Sequence, residues 1–265
     1  MKKTFLLLTI TLSAFLLLTG CTDKNLERAT DDFNKTCKAV EENNTMIRNS
    51  ILELQTLMKS GEKPLDPSLI DSAKSLIREA RSQIVRIPEM PTTTETIRSA
   101  TEGLMTFSNP KFILDKLETA CNLMETSIEQ LKLVTNPTPE FVKQRLVDVP
   151  NIRTVKIVTE ENDPEGLLNQ PGGYVNAIYF TSDLVPAKSQ QGGSVKSGGA
   201  IEIYETEEDA NKRNEELSTL DGTGMFSGAS HSVLGTMVIR ISDKMAASRI
   251  KKMEKDIYDS LTQLK

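Results

Sequence analysis

The apolar residues of this chain change their spacing once, and that change constrains the fold more than any other feature. Phe33, Cys37, Val40, Asn44, Ile47, Ile51, Leu54 and Met58 alternate steps of four and three, which lines them up on one stripe of an α-helix. Asn44 is the one polar member and reads as a register residue. Gly61 marks the stop, and Asp66-Pro67 supplies an N-cap and a first helical residue for a second helix. That helix carries Ile70, Ala73, Ile77, Ala80, Ile84 and Ile87 and ends before Pro88. A third, Glu95 to Phe107, follows the Pro91 loop, and Ser108-Asn109-Pro110 opens a fourth with Leu114, Leu117, Cys121, Met124, Ile128 and Leu131. Four one-sided helices bury their stripes best against one another, so residues 33–135 are expected to form a helical bundle. Thr135-Asn136-Pro137-Thr138-Pro139 breaks the pattern and marks a domain boundary.

Beyond a short helix at Glu140 to Val147 the period becomes two. Thr154 to Thr159, Tyr174 to Thr181, Gly199 to Glu205 and Ser232 to Ile241 read as strands, and helices are expected from Thr206 and after Asp243. The order predicts an α+β sandwich over residues 138–265, an about four-stranded, mainly antiparallel sheet with helices on one face.

The first residues carry an address. Lys2 and Lys3 precede an apolar run from Phe5 to Leu18, the pattern of an export signal. The run falls short of the roughly 18 to 20 apolar residues of a stable membrane span. Leu18-Thr19-Gly20-Cys21 resembles the lipobox of bacterial lipoproteins. The resemblance implies that residues 1–20 are a signal peptide, that Cys21 is alkylated by a diacylglyceryl group, and that the chain is anchored to the cell membrane facing outside the cytoplasm. Residues 21–32 then form the lipidated cysteine and a polar spacer, either helical or frayed.

The charge leaves little else to hold a membrane or a nucleic acid. The chain has 32 basic and 37 acidic side chains; without Lys2 and Lys3 the balance is 30 against 37, or −7. Residues 22–137 carry 15 basic and 18 acidic groups and residues 138–265 carry 15 and 19, so no basic stripe exists and nucleic acid is excluded as a partner. Once Cys21 is lipidated, Cys37 and Cys121 remain. With a single histidine they fall short of a structural zinc site. An exported chain can keep a disulfide, and the two cysteines lie on the inward stripes of the first and fourth expected helices, where a bond is expected.

A second resemblance lies in the C-terminal half. Gly198 to Tyr204, Glu207 to Ala210 with Arg213-Asn214, and Gly228 to Ser232 with Gly235 to Arg240 are similar to a region of uncharacterised Gram-positive-type lipoproteins. It implies a compartment and a fold and transfers no catalytic residue. His231, the only histidine, stands between Ser230 and Ser232, which a strand turns to the opposite face from it. Glu160, Glu161, Asp163 and Glu165 are interrupted by Pro164, do not match a calcium loop and read as a solvated acidic loop. Gly192-Gly193 and Gly198-Gly199 lack phosphate-loop spacing and the following helix. No catalytic residue, metal or cofactor is therefore expected. The polar loop Leu184 to Gly198 is the expected partner-binding segment, through Ser189, Gln190, Gln191, Gly192, Gly193, Ser194 and Lys196, together with the turn Gly222 to Gly228. The expected function is a non-catalytic binding or interaction module for a protein or cell-wall partner; alternatives are a solute-capturing lipoprotein serving a transporter and a cell-wall-directed enzyme.

Overall fold

A computed structural model of the chain describes residues 24–107, 109–189, 194–220 and 230–264. Its elements are α1 (Lys24–Lys59), α2 (Ser68–Ser82), α3 (Thr94–Met105), α4 (Lys111–Val134), α5 (Pro139–Val147), β1 (Ile152–Ile157), β2 (Asn176–Ser182), β3 (Gly198–Ile203), α6 (Glu207–Leu220), β4 (Ser230–Leu234), β5 (Met237–Ile241) and α7 (Ala247–Thr262). The described residues divide into two compact units, residues 24–60 with 70–122, and residues 61–69 with those beyond 122. The division falls inside α4, between Asn122 and Leu123. Among the described residues no helix is long and apolar enough to cross a membrane.

In the first unit α1 begins at Lys24, so most of the expected spacer is helix. Ala29, Phe33 and Val40 of α1 form a core with Ile97 and Leu104 of α3, and Cys37, Val85 and Ile87 pack on it. Asn44, 2% exposed, fixes the segment between α2 and α3. Its Nδ2 donates to Val85 O at 2.8 Å and its Oδ1 accepts from Val85 N at 3.0 Å. One amide thereby satisfies both backbone groups of a residue outside any helix or strand. The Cys37–Cys121 bond is not formed; both are thiols. At Cys37 the α1 stripe faces α3, whereas Cys121 belongs to α4, and burial pushes the Cys37 thiol up.

The second unit is α+β, as expected. Its sheet has five strands in the order β1-β2-β3-β5-β4, every pair antiparallel. The expected single strand from Ser232 to Ile241 is a hairpin, β4 and β5, turned at Gly235 with φ +59°, a conformation that tight hairpins require. Ile178, Phe180, Ile201, Ile203, Ile239 and Ile241 point to one face, where α5 supplies Leu146 and α7 supplies Ile257 and Leu261. Arg145 joins these two helices, donating from Nη2 to Gln263 O at 2.8 Å while its carbonyl accepts from Ser260 Oγ at 2.9 Å. The helices are shared between the faces: α6 lies on the other, with Ala210 and Leu217 against Ala177, Tyr179, Ala200, Tyr204 and Val238.

Candidate functional site

The alternation that aims the isoleucines of β3 and β5 at one face aims Glu202 and Arg240 at the other. Strand pairing sets Tyr179, Ala200, Arg240 and His231 in one row across β2, β3, β5 and β4, with Glu202 in the next row beside Val238. Because α6 covers this face, the charges are enclosed. Glu202 is 0% exposed. Its Oε1 accepts from Arg240 Nη1, and its Oε2 accepts from Arg213 Nε of α6 at 3.2 Å and from Tyr204 Oη at 2.8 Å. Glu165 closes the group from the segment between β1 and β2. One oxygen accepts from Arg213 Nη2 and the other from Arg240 Nη1, each at 2.7 Å.

Two carboxylates thus face two guanidinium groups, and the cluster is neutral. Burial alone would lower the Arg240 and Arg213 pKa values, but the adjacent glutamates outweigh it and hold both above the ordinary arginine value. Tyr204 and Tyr179 are pushed far up, first by burial and then by the neighbouring carboxylates, so neither phenol ionises at working pH. Tyr179 Oη and Arg240 Nε are buried without a hydrogen-bond partner among the described residues.

Asp163 organises the segment that brings in Glu165. Its carboxylate accepts from Tyr174 Oη, from Leu168 N at 2.8 Å and from Glu165 N at 3.1 Å. Burial raises the Asp163 pKa, but these bonds together outweigh it and hold the group below the ordinary carboxylate value. The expectation of a solvated acidic loop is corrected for Asp163 and Glu165, which fasten this segment to the sheet. Replacing Asp163 with Asn is expected to cost about 1.5–3 kcal/mol at neutral pH, the value of a hydrogen bond to a charged group. A depressed folded pKa gives stability that is present above the unfolded value near 3.9 and lost as pH falls through the folded one. The gap between parent and variant should therefore close below about pH 4; unfolding midpoints at pH 7, 5 and 3 check this, and a gap independent of pH would refute it.

The sequence-derived sites fall elsewhere. Cys21, Gln190, Gln191, Gly192 and Gly193 lie outside the described residues, as does the turn Gly222 to Gly228. Ser189 ends a 3₁₀ turn, Ala187–Ser189. A second such turn, Val195–Ser197, follows Ser194, which is half-buried, and contains Lys196, which is exposed. Although the loop is polar, Val185, Val195 and Ser197 are buried, and the Lys196 carbonyl accepts from Ser242 Oγ at 2.8 Å. His231 lies on β4, with Nδ1 2.7 Å from Asn214 Oδ1 of α6.

Glu202 and Arg240 were missed because a charged residue between two isoleucines of a strand reads as facing water, and Arg213 because a charge on a largely polar helix reads the same way. The available signal was aromatic: Tyr174, Tyr179 and Tyr204 gather near these charges, too much ring area for a solvated face. Chemically, every charged group of the cluster is held by an opposite charge from another element, which suits it to fixing α6 and the 159–173 segment on the sheet. Among the described residues no group of three or more His, Cys, Asp or Glu is placed to hold a metal ion. Comparisons with protein families, with curated proteins and with solved structures find no match to the chain.

Proposed function

We propose that this protein is a bacterial surface lipoprotein, held on the outer face of the cytoplasmic membrane through Cys21 and acting as a non-catalytic binding or interaction module. One observation carries the reading: the apolar run from Phe5 ends at the lipobox-like Leu18-Thr19-Gly20-Cys21. The even, mildly acidic charge of both halves supports it, because such a surface draws no anionic lipid by itself and leaves the acyl chains as the anchor.

The test is expression of parent and Cys21→Ala in a lipoprotein-processing bacterium fed a labelled fatty acid. The parent should take up label and sediment with membranes, while the variant loses both. About 0.8 kcal/mol per buried methylene makes a diacyl anchor the dominant attachment. An unlabelled parent, or a Cys21→Ala chain with unchanged mobility that stays with the membranes, would refute the proposal.

A further inference from the structure

We infer that one end of the helical unit, built from the first turn of α1, the segment 87–93 and the first turn of α3, is the surface this protein lays on a lipid bilayer. The inference rests on lipidation of Cys21, as proposed above, and adds where the fold meets the lipid.

Its first support is tether length. Cys21 precedes the first residue of α1, Lys24, by three residues, and an extended residue spans at most about 3.6 Å, so the anchor lies within about 11 Å of the helix. A headgroup layer is roughly 5–8 Å thick, since a bilayer of 40–45 Å has a hydrocarbon core near 30 Å. The first turn of α1 is therefore held at the lipid surface.

The second support is what stands beside that turn. Asn25 and Leu26 line an open cleft of about 520 Å³ with Thr92, Thr93, Glu95 and Arg98. Further along, Asn43 Nδ2 reaches Phe107 O at 3.5 Å, so α1 and α3 run in the same direction and begin at the same end. Between α2 and α3 the chain starts at Val85, fixed by Asn44, packs Ile87 beside Phe33 and Ala29, and arrives at Thr92 next to Leu26. Met90 is two residues from that cleft although it is 64 residues from Leu26 in sequence (90 − 26).

The chemistry of this end suits the boundary between headgroups and acyl chains. Leu26 is 37% exposed and Met90 41%, and apolar side chains of this kind insert at that boundary. Exposed Thr92 offers a hydroxyl to the headgroups, while the Thr93 hydroxyl caps α3. Lys24, Arg28 and Arg98 are matched in number by Glu27, Glu89 and Glu95, so contact should not require anionic lipid.

The chain contains no tryptophan, which makes single-tryptophan variants clean reporters. Leu26→Trp, Met90→Trp and Leu52→Trp place the probe at exposed positions, Leu52 being 62% exposed and, 28 residues beyond Lys24 in α1, about 42 Å along the helix. Each full-length, acylated variant is bound to phosphatidylcholine vesicles with and without brominated acyl chains, and acylation and vesicle flotation are scored separately. Tryptophan at 26 and 90 should lose roughly half its emission to the brominated lipid, as for a side chain at the acyl boundary, and tryptophan at 52 should be unaffected. In an acylated, floating chain, quenching at 26 alone, at neither site, or at 52 as strongly as at 90 overturns the surface and leaves the lipoprotein reading intact. A blue-shifted but unquenched tryptophan at 90 also overturns it, because a protein then covers Met90. A chain without acyl label that does not float overturns both.

Discussion

Glu202→Gln should be among the most damaging single changes in the second unit, lowering its stability by about 3–5 kcal/mol, the usual cost of removing one partner from a buried ion pair. The substitution keeps shape and volume but removes one of two negative charges facing Arg213 and Arg240. Arg240 is 7% exposed and Glu202 0%, so water does not replace what is lost, and Glu165, with the exposed Glu216 3.9 Å from Arg213, remains to offset two guanidinium groups. The two-residue change Glu202→Met with Arg240→Met is expected to be milder than Glu202→Gln. It removes one charge of each sign and leaves Glu165 paired with Arg213 at 2.7 Å, and apolar replacement of a complete buried pair is often neutral. All four tyrosines of the chain, at 174, 179, 204 and 258, belong to the second unit. Their near-UV circular dichroism during urea unfolding follows this unit alone. A double variant as unstable as Glu202→Gln would show that packing, and not charge balance, is what Glu202 contributes.

What was legible in the sequence divides along the same line. Period alone locates α2, α4 and the isoleucine-bearing strands, because one-sided burial is written directly into the spacing of Ile77, Leu117, Ile201 and Ile239. It fails where burial is two-sided or depends on a distant element. Glu202 and Arg240 sit on the polar face of an alternating pattern, and only the placement of α6, whose own apolar signal is reduced to Ala210 and Leu217, turns that face inward. The start of α1 is left open between a helical and a frayed spacer for a similar reason. Lys24 to Asp32 has the single buried residue Ala29, so propensity and continuity with the Phe33 stripe extend the helix, and no stripe announces it. The cysteines were misjudged for a related reason: an inward stripe says that a side chain is buried, not which neighbour it faces. The acidic run at 160–165 looked solvated because charge density carries no information on the two arginines, 48 and 75 residues further along (213 − 165 and 240 − 165), that receive Glu165.

Gly235→Ala is expected to cost the second unit about 3 kcal/mol, and the cost should come chiefly from contact, not conformation. Gly235 has φ +59°, and a Cβ there would lie 2.2 Å from Val134 O, the last residue of α4. That carbonyl is one of the orphan acceptors of a helix C-terminus, and it is satisfied by Thr236 N at 3.1 Å. Thr236 Oγ1 accepts from Asn136 N at 2.8 Å, and Asn136 takes φ 46° just past the helix, a left-handed stop for which Asn is well suited. The β4–β5 turn therefore caps α4, and a methyl group at 235 pushes the two apart. Left-handed strain in alanine costs about 1–2 kcal/mol, and each of the two capping bonds lost adds about 1 kcal/mol. Gly166→Ala separates these terms, since Gly166 has φ +66° and nothing within 4 Å of its added Cβ; it should show the strain alone. For a unit of this size 1 kcal/mol moves the midpoint by about 2–4 °C, so Gly235→Ala should melt about 6–12 °C below the parent. Thermal unfolding followed by tyrosine circular dichroism reads both variants, and equal losses for the two would mean that the turn does not bear on the end of α4.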